Sequence, residues 1–260
     1  MNPLKSLAHR LLAAVGYELR RPPTKLPADA RFGINVFEMV VERILTGDDP
    51  RRRCLLQVGA NNGIDEDAVR PILERFPLRS FLCEPMPDSF AKLQANYASF
   101  ANVTPLNVAV GERTGSLDLF RVDPKAVTNN TELVASFDRQ HVEHFRKLWN
   151  IPEGGISVQT VKCFSIPDLL VQCGVDRFDI VAVDTEGMDH LICDQVLGLA
   201  SPPDVLMFEY TSSPIRRVLE LMARLEQMGY LFARSGLDIT AVRRSALPPP
   251  STARSTGTTR

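Results

Sequence analysis

The residues best suited to chemistry lie at two points where an apolar run ends on glycine or on a carboxylate. Residues 55–63 read LLQVGANNG, so Gly59 and Gly63 follow an apolar stretch, and residues 81–85 read FLCEP, so Glu84 ends a second one. Glycine at the end of a strand lets a ligand approach the backbone. A carboxylate at the tip of the next strand can accept hydrogen bonds from both hydroxyls of a ribose. The spacing therefore predicts a pocket for a nucleoside-containing cofactor.

The composition limits the partners that such a pocket could serve. The chain has 260 residues, a net charge of −1 and 44% hydrophobic residues, which is ordinary for a globular protein. A net charge near zero gives no overall field that would attract nucleic acid, so we do not expect nucleic acid as a partner. The five cysteines are scattered and form no CxxC pair, which argues against structural zinc and fits a reducing, cytoplasmic compartment.

Strand-like and helix-like patterns alternate along most of the chain and predict an α/β fold. In the first half they follow one another at residues 54–58, 67–76, 80–83, 88–100 and 103–108. The pattern returns with strands at 178–184 and 203–208, a helix at 214–228 and a hairpin at 230–242. Such alternation implies a parallel sheet with helices on its faces. We expect a Rossmann-like, seven-stranded, mostly parallel sheet in a domain of residues 31–247, with an inserted cap at about residues 112–177.

The two ends of the chain are expected to lie outside this domain. Residues 1–30 combine an amphipathic helix with a proline-rich linker. That helix could lie on a membrane surface or on a partner, or it could dock on its own domain. The tail at residues 248–260 is rich in Pro, Ser and Thr, which is typical of disorder. Nothing in the pattern indicates an oligomeric state.

Four polar side chains fall where the predicted strands end. They are Glu84, Asn107, Asp184 and Glu209. In open parallel sheets, ligands bind beyond the carboxyl ends of the strands, so these positions indicate one common site.

The glycine spacing and the charge of the first loop help to choose between cofactors. Gly59 and Gly63 are four residues apart, which differs from the GxGxxG turn that binds a dinucleotide. Asp65, Glu66 and Asp67 follow in the same loop and would repel a diphosphate, whereas they would tolerate a sulfonium and an ammonium. The sequence therefore favours S-adenosyl-L-methionine over NAD.

Four motifs, taken in this order, resemble those of FkbM-type methyltransferases. They are QVGANNG at residues 57–63, EP at 84–85, NVAVG at 107–111 and VDTEG at 183–187. The resemblance implies a class I methyltransferase fold, S-adenosyl-L-methionine as cofactor and, usually, methylation of a hydroxyl oxygen. It also implies that Gly59, Ala60 and Gly63 shape the methionine side of the pocket. By the same resemblance, Glu84 binds the ribose diol, and Asn107 and Val108 lie near the adenine. The cofactor-binding residues expected on this basis are Gln57, Gly59, Ala60, Asn61, Gly63, Glu84, Pro85, Asn107, Val108 and Asp184.

Two positions depart from the pattern of the family. Many members have Asp where this chain has Gln57. An amide can still accept or donate a hydrogen bond, but it cannot pair with the charge of the cofactor's ammonium group. Many members also have Lys where this chain has Ala182, two residues before Asp184.

The acceptor side of the reaction needs residues that orient a hydroxyl and take its proton. Asp184 and Glu186 are the leading candidates, although Asp184 could instead cap the following helix and Glu186 could face solvent. His144, which is three residues from His141, is a further candidate base, although such histidines are often ordinary surface residues. We expect O-methylation of a sugar or of another small molecule. The alternatives are an NAD-type oxidoreductase and a non-catalytic nucleoside-binding scaffold.

Overall fold

The computed structural model of the chain describes residues 35–46, 48–65, 67–123, 135–185 and 187–248. Two short 3₁₀ turns, at Pro50–Arg52 and Arg244–Ala246, accompany the regular elements. In chain order these elements are α1 (Val36–Leu45), β1 (Cys54–Val58), α2 (Arg70–Arg75), β2 (Arg79–Cys83), α3 (Pro87–Asn96), β3 (Val103–Leu106), β4 (Ala109–Val110), β5 (Gly115–Val122), β6 (Ala135–Ser136), α4 (Arg139–Leu148), β7 (Ile156–Phe164), α5 (Ile166–Cys173), β8 (Ile180–Val183), α6 (Asp189–Leu197), β9 (Val205–Glu209), α7 (Ile215–Gln227), β10 (Tyr230–Ser235) and β11 (Asp238–Arg243).

A seven-stranded sheet forms the centre of the described structure, in the order β10-β11-β9-β8-β1-β2-β3. The five strands from β9 to β3 are parallel, whereas β11 runs antiparallel to both β9 and β10. All residues of β1 and β8 are buried, as expected for parallel strands that are covered by helices on both faces. The predicted seven-stranded, mostly parallel sheet is confirmed.

The two faces of this sheet belong to two apolar clusters. Leu56 and Val58 of β1 point into one cluster with α6 and α7, whereas Leu55 points into the other with α1 and α3. This division follows from the alternation of side chains along a strand. By the same alternation, Gln57 shares the face of Leu55.

Most helix ends follow local sequence signals. Apolar periodicity in the sequence suggests a helix over residues 32–45. In the structure α1 begins at Val36, because the side chain of Asn35 accepts a hydrogen bond from Glu38 N and caps it. Helix α5 begins after a Ser165 cap and ends at Gly174 in the left-handed conformation, as its sequence predicts. By residue type Asp88 is a plausible N-cap for α3. That prediction is wrong, because Pro87 occupies the first helical position and Asp88 lies in the first turn.

A second, four-stranded sheet is built from residues that follow β3, in the order β4-β7-β5-β6. Helix α4 packs against three of its strands. The sheet and this helix lie largely within the expected cap region. The proposed boundaries of the cap and of the domain stay predictions. The predicted N-terminal helix and almost all of the predicted tail fall outside the described residues.

Candidate active site

The turn after β1 is bonded directly to the end of β2. The backbone N–H groups of Gly59 and Ala60 both donate to the carbonyl oxygen of Cys83, at 3.0 Å each. Gly63 N donates to Ala60 O at 2.9 Å, and Asn61 takes a positive φ of 46°. These bonds place the glycine turn immediately beside Glu84, which follows Cys83 in the chain.

Both glycines of this turn are required by the packing of the protein itself. Gly59 has a φ of +83°, and a Cβ at this position would lie 1.7 Å from the carbonyl oxygen of Asp184. Gly63 has a φ of +70°, and its Cβ would lie 2.4 Å from a ring carbon of Tyr97. From the sequence alone, the approach of a ligand is the expected reason for these glycines. The structure shows that they also let β8 and α3 come close to the turn.

Glu84 is held in one orientation by two backbone donors. Its Oε2 accepts from Asn61 N and its Oε1 from Met86 N, both at 2.8 Å. The side chain is only 6% exposed, and burial raises the pKa of its carboxyl to about 7 against the pull of these two donors. A carboxylate has about four acceptor sites, so about two remain for a ligand such as a diol.

The residues around Glu84 fix its backbone. The side chain of Asn107, just after β3, donates to the carbonyl oxygens of Glu84 at 2.9 Å and of Pro85 at 3.1 Å. The neighbouring Val108 is buried in the core. The structure thus brings Asn107 and Pro85 next to Glu84. We call these three residues, which lie beside the glycine turn, the Glu84 corner. Contact of any of these residues with a cofactor stays a prediction.

Gln57, the first departure from the family pattern, is part of a partly buried polar cluster. Its Nε2 donates to Asp67 Oδ1 at 3.0 Å, and the hydroxyl of Tyr97 donates to Asp67 Oδ2 at 3.3 Å. Asp67 Oδ1 also accepts from Val69 N at 2.8 Å, just before α2 begins. The Oε1 atom of Gln57 is buried and has no hydrogen-bond partner among the described residues.

Asp67 and Tyr97 were not predicted to serve the site. The sequence marks Asp67 only as one of three loop charges. Its position just before a predicted helix is a sequence signal for the bond that Asp67 accepts from Val69 N. No sequence signal links either residue to Gln57.

The segment after β8 carries the predicted catalytic acids. Asp184 N donates to Val58 O at 2.9 Å, which fixes the start of this segment against β1, and the Asp184 side chain is exposed. The alternative that Asp184 caps the next helix is wrong, because α6 has Met188 at its N-cap position. Glu186 lies outside the described residues. The roles of both acids in catalysis stay predictions.

Acidic side chains also meet beyond β9. Glu209 Oε2 accepts from the hydroxyl of Ser212 at 2.7 Å, and Glu209 lies directly opposite Asp238 of β11 in the strand register. Burial, together with Glu209 and Asp189, raises the pKa of the Asp238 carboxyl to about 6. Burial is also the main cause of a raised pKa at Asp189.

His144 lies on α4, which packs on the second sheet. Its ring meets Phe145 edge-on, with centroids 5.7 Å apart, and it lines a surface cavity of about 850 Å³ together with charged residues of the same helix. In the described part of the chain, no hydrogen bond, ion pair or ring contact joins His144 to the strand-end residues. Among the described residues we find no direct contact between this candidate base and the strand ends, and a role of His144 in catalysis stays a prediction.

Other features of the described residues bear on the kinds of site available. All five cysteines are buried and free, and burial raises the pKa of each thiol. No group of three His, Cys, Asp or Glu side chains in the described ranges could hold a metal ion. Among the helices described, none combines the length and the apolar character needed to cross a membrane.

Comparison with known proteins finds several chains that are similar to this one. One similar protein is the 2-O-methyltransferase NoeI of Sinorhizobium fredii (strain NBRC 101917 / NGR234), with 24% identity over 184 residues that span 66% of this chain and 72% of NoeI. A solved FkbM methyltransferase from Methylobacillus flagellatus KT has 13% identity and a TM-score of 0.44, and the match covers 73% of this chain and 43% of that one. A precorrin-6y C5,15-methyltransferase from Geobacter metallireducens GS-15 has 15% identity and a TM-score of 0.38, with 85% and 93% covered.

The sequence profile described as "Methyltransferase FkbM domain" matches residues 57–232. The matched range begins at Gln57 on β1 and ends within β10, so it contains both the Glu84 corner and the segment after β8. It also covers the whole parallel part of the seven-stranded sheet apart from the first residues of β1. A match over more than half of the chain shows that this protein belongs to the FkbM methyltransferase family.

Proposed function

We propose that the chain transfers a methyl group from S-adenosyl-L-methionine to a hydroxyl of a sugar or of another small molecule. The observation that carries the proposal is the Glu84 corner. Two backbone donors orient a buried carboxylate directly beside the glycine turn, and this carboxylate keeps about two acceptor sites for a ribose diol. Membership of the FkbM methyltransferase family supports the same reading.

The charge of the surrounding residues fits this cofactor. Within the described ranges the buried Oε1 of Gln57 has no hydrogen-bond partner, and it suits an N–H donor such as the cofactor's ammonium group. Asp65 and Asp67 lie in the same loop and give it a negative potential. A sulfonium and an ammonium are favoured there, whereas the diphosphate of NAD is not. With the family shown to be one of methyltransferases, the NAD-type alternative has no support.

The acceptor side is assigned to the segment after β8. When bound, the cofactor supplies a methyl group on a positively charged sulfur. In this proposal the exposed carboxylate of Asp184 accepts a hydrogen bond from the acceptor hydroxyl and takes its proton as the oxygen gains the methyl group. Glu186 orients the acceptor. A hydroxyl of a small molecule or glycan is favoured because NoeI, a distant relative, is named as a 2-O-methyltransferase.

The cofactor is tested by isothermal titration of the full chain with S-adenosylhomocysteine and, separately, with NAD. We expect micromolar binding of S-adenosylhomocysteine and no heat from NAD. Binding of NAD without any response to S-adenosylhomocysteine would refute the proposal.

The reaction is tested with radiolabelled S-adenosyl-L-methionine and a panel of methyl glycosides, inositols and catechols. The Asp184→Asn variant should lose most of any transfer, by about 100-fold or more, while it retains S-adenosylhomocysteine affinity, because a general base contributes about that much. Asp118→Asn is the matched control, since Asp118 is an exposed carboxylate on β5 that bonds to Thr160. Equal transfer by the Asp184→Asn variant and the control would remove Asp184 from the mechanism.

A further inference from the structure

Helix α6 begins with a fully buried carboxylate whose bonds all return to the segment before the helix. Asp189 is 0% exposed, and its Oδ2 accepts from Thr185 Oγ1 at 2.9 Å, Thr185 N at 3.4 Å and Gly187 N at 3.3 Å. Removing a carboxylate from water is costly unless hydrogen bonds replace the lost solvent. One carboxylate oxygen therefore closes the segment after β8 onto the first turn of α6.

The same segment is fixed on two other sides. At its start, Asp184 N bonds to Val58 O, and the Asp184 carbonyl oxygen occupies the space that a Cβ on Gly59 would need. Near its end, Gly187 has a φ of +114°, and a Cβ there would lie 3.3 Å from the carbonyl oxygen of Ser212. The segment thus lies between the glycine turn and the residues after β9, and Asp189 holds it on the helix side.

The surroundings of the other carboxylate oxygen of Asp189 disfavour a negative charge. Its Oδ1 is buried without a hydrogen-bond partner in the part of the chain that the structure describes. The carboxyl also interacts electrostatically with Glu209, and both acids act on Asp238. No described Lys or Arg forms an ion pair with any of these three acids. The hydrogen bonds from Thr185 and Gly187 are favourable contacts that offset part of the cost of keeping an acid in such surroundings.

We propose that Asp189 is a positioning residue, whose carboxylate holds Thr185 and Gly187 and thereby sets the place of the Asp184 carboxyl relative to the glycine turn. The inference rests on the proposed function, since it assigns Asp184 to the acceptor. Asp189 itself touches neither cofactor nor acceptor in this proposal. Its loss should therefore disturb transfer more than it disturbs cofactor binding.

The test compares Asp189→Ala, Asp189→Asn and the control Asp194→Asn. Asp194 lies on the same helix but is exposed and pairs with Arg224 at 2.9 Å. Amide hydrogen exchange, followed by mass spectrometry, reports the protection of the peptide that contains Thr185 and Gly187. Titration with S-adenosylhomocysteine reports the cofactor side, and the panel assay with labelled S-adenosyl-L-methionine reports transfer.

In Asp189→Ala we expect the protection of this peptide to fall about tenfold or more, with β1 and β2 peptides unchanged and S-adenosylhomocysteine affinity within about threefold. Transfer at saturating cofactor should fall at least about tenfold. Asp189→Asn should restore most of the protection, because its amide oxygen can accept from the same donors. The control should match the wild-type protein in all three assays.

Two results would overturn the inference. One is wild-type protection of the peptide in Asp189→Ala. The other is an equal loss of protection throughout the sheet in both Asp189 variants, which would show a general role in stability. A failure of the proposed function looks different, because the wild-type protein would then not bind S-adenosylhomocysteine at all.

Discussion

The replacement of Glu84 by glutamine tests the cofactor site through its pH dependence. Burial raises the pKa of this carboxyl from 4.5 to about 7 in the folded protein. If the ionised form binds the ribose diol, affinity for S-adenosylhomocysteine should rise as the pH passes through about 7. Between pH 8 and pH 6 the ionised fraction falls about tenfold, so we expect the dissociation constant to rise about tenfold.

In Glu84→Gln the side chain cannot ionise and has one acceptor oxygen for two backbone donors. We expect a dissociation constant at pH 8 that is about 10- to 100-fold higher than in the wild-type protein, because hydrogen bonds to a charged group contribute about 1.5–3 kcal/mol. This constant should not follow the wild-type change between pH 6 and pH 8. Comparing the two proteins removes the titration of the ligand's own groups.

The same pKa shift makes a prediction for stability. Below pH 4.5 the carboxyl is protonated in both the folded and the unfolded chain. Between pH 4.5 and about 7 only the folded chain keeps the proton, so the free energy of unfolding decreases as the pH rises. The whole shift corresponds to about 3 kcal/mol, which the wild-type protein should lose over this range relative to Glu84→Gln.

Isothermal titration at several pH values and urea denaturation at pH 4.5 and pH 8 provide the two measurements. Glu74→Gln is the matched control, because Glu74 is an exposed glutamate paired with Arg70 at 2.8 Å. The reasoning is refuted if Glu84→Gln and Glu74→Gln bind S-adenosylhomocysteine equally well at pH 8. A wild-type affinity that is constant from pH 6 to pH 8 would show that the ionised carboxylate does not contact the ligand.

Three further predictions concern stability and are measured by urea denaturation. Gly59→Ala should be less stable than Gly229→Ala by about 2 kcal/mol or more. Both glycines have a φ near +80°, but of the two only Gly59 has backbone atoms within 4 Å of the new Cβ. Equal losses of stability in the two variants would contradict the packing role of Gly59. Gln57→Glu should lower the free energy of unfolding by about 1–3 kcal/mol at pH 7, because it places a second carboxylate beside Asp67. In the double variant, Asp67→Asn should restore part of this loss. If the effects of the two substitutions simply add, the two side chains are independent. Asp238→Asn should stabilise the protein by about 1–2 kcal/mol at pH 8 but not at pH 3.5. The pKa of Asp238 is raised to about 6 in the folded chain, so the wild-type protein loses stability as this carboxyl ionises. A gain that persists at pH 3.5 would have another cause.

The central sheet could be predicted because the order of strand-like and helix-like patterns in the sequence allows few topologies. Apolar strands, alternating with helices, leave few arrangements other than a parallel sheet, and polar residues at strand ends then share one edge. The order of the motifs was sufficient to place Gly59 beside Glu84, which the bonds to Cys83 O confirm.

Other features of the site depend on contacts between distant segments. The sequence showed Gly59 next to a turn, but not that the carbonyl oxygen of Asp184 fills the space beside it. It showed Asp67 as a loop charge, but not its bonds to Gln57 and Tyr97. The position of His144 was out of reach for the same reason, since it is set by the packing of α4 on the second sheet.

The two departures from the family pattern meet at one place in the sheet. Gln57 of β1 and Ala182 of β8 are register partners in parallel strands, so their side chains lie on the same face. An aspartate at position 57, or a lysine at position 182, would be a buried charge that needs a partner. The neutral Gln57 and Ala182 together leave no unpaired charge of their own at this point of the sheet. The departures therefore count as one local change. Glu84 and Asp184 lie beyond the strand ends and are untouched by it, which weakens the case for a non-catalytic scaffold.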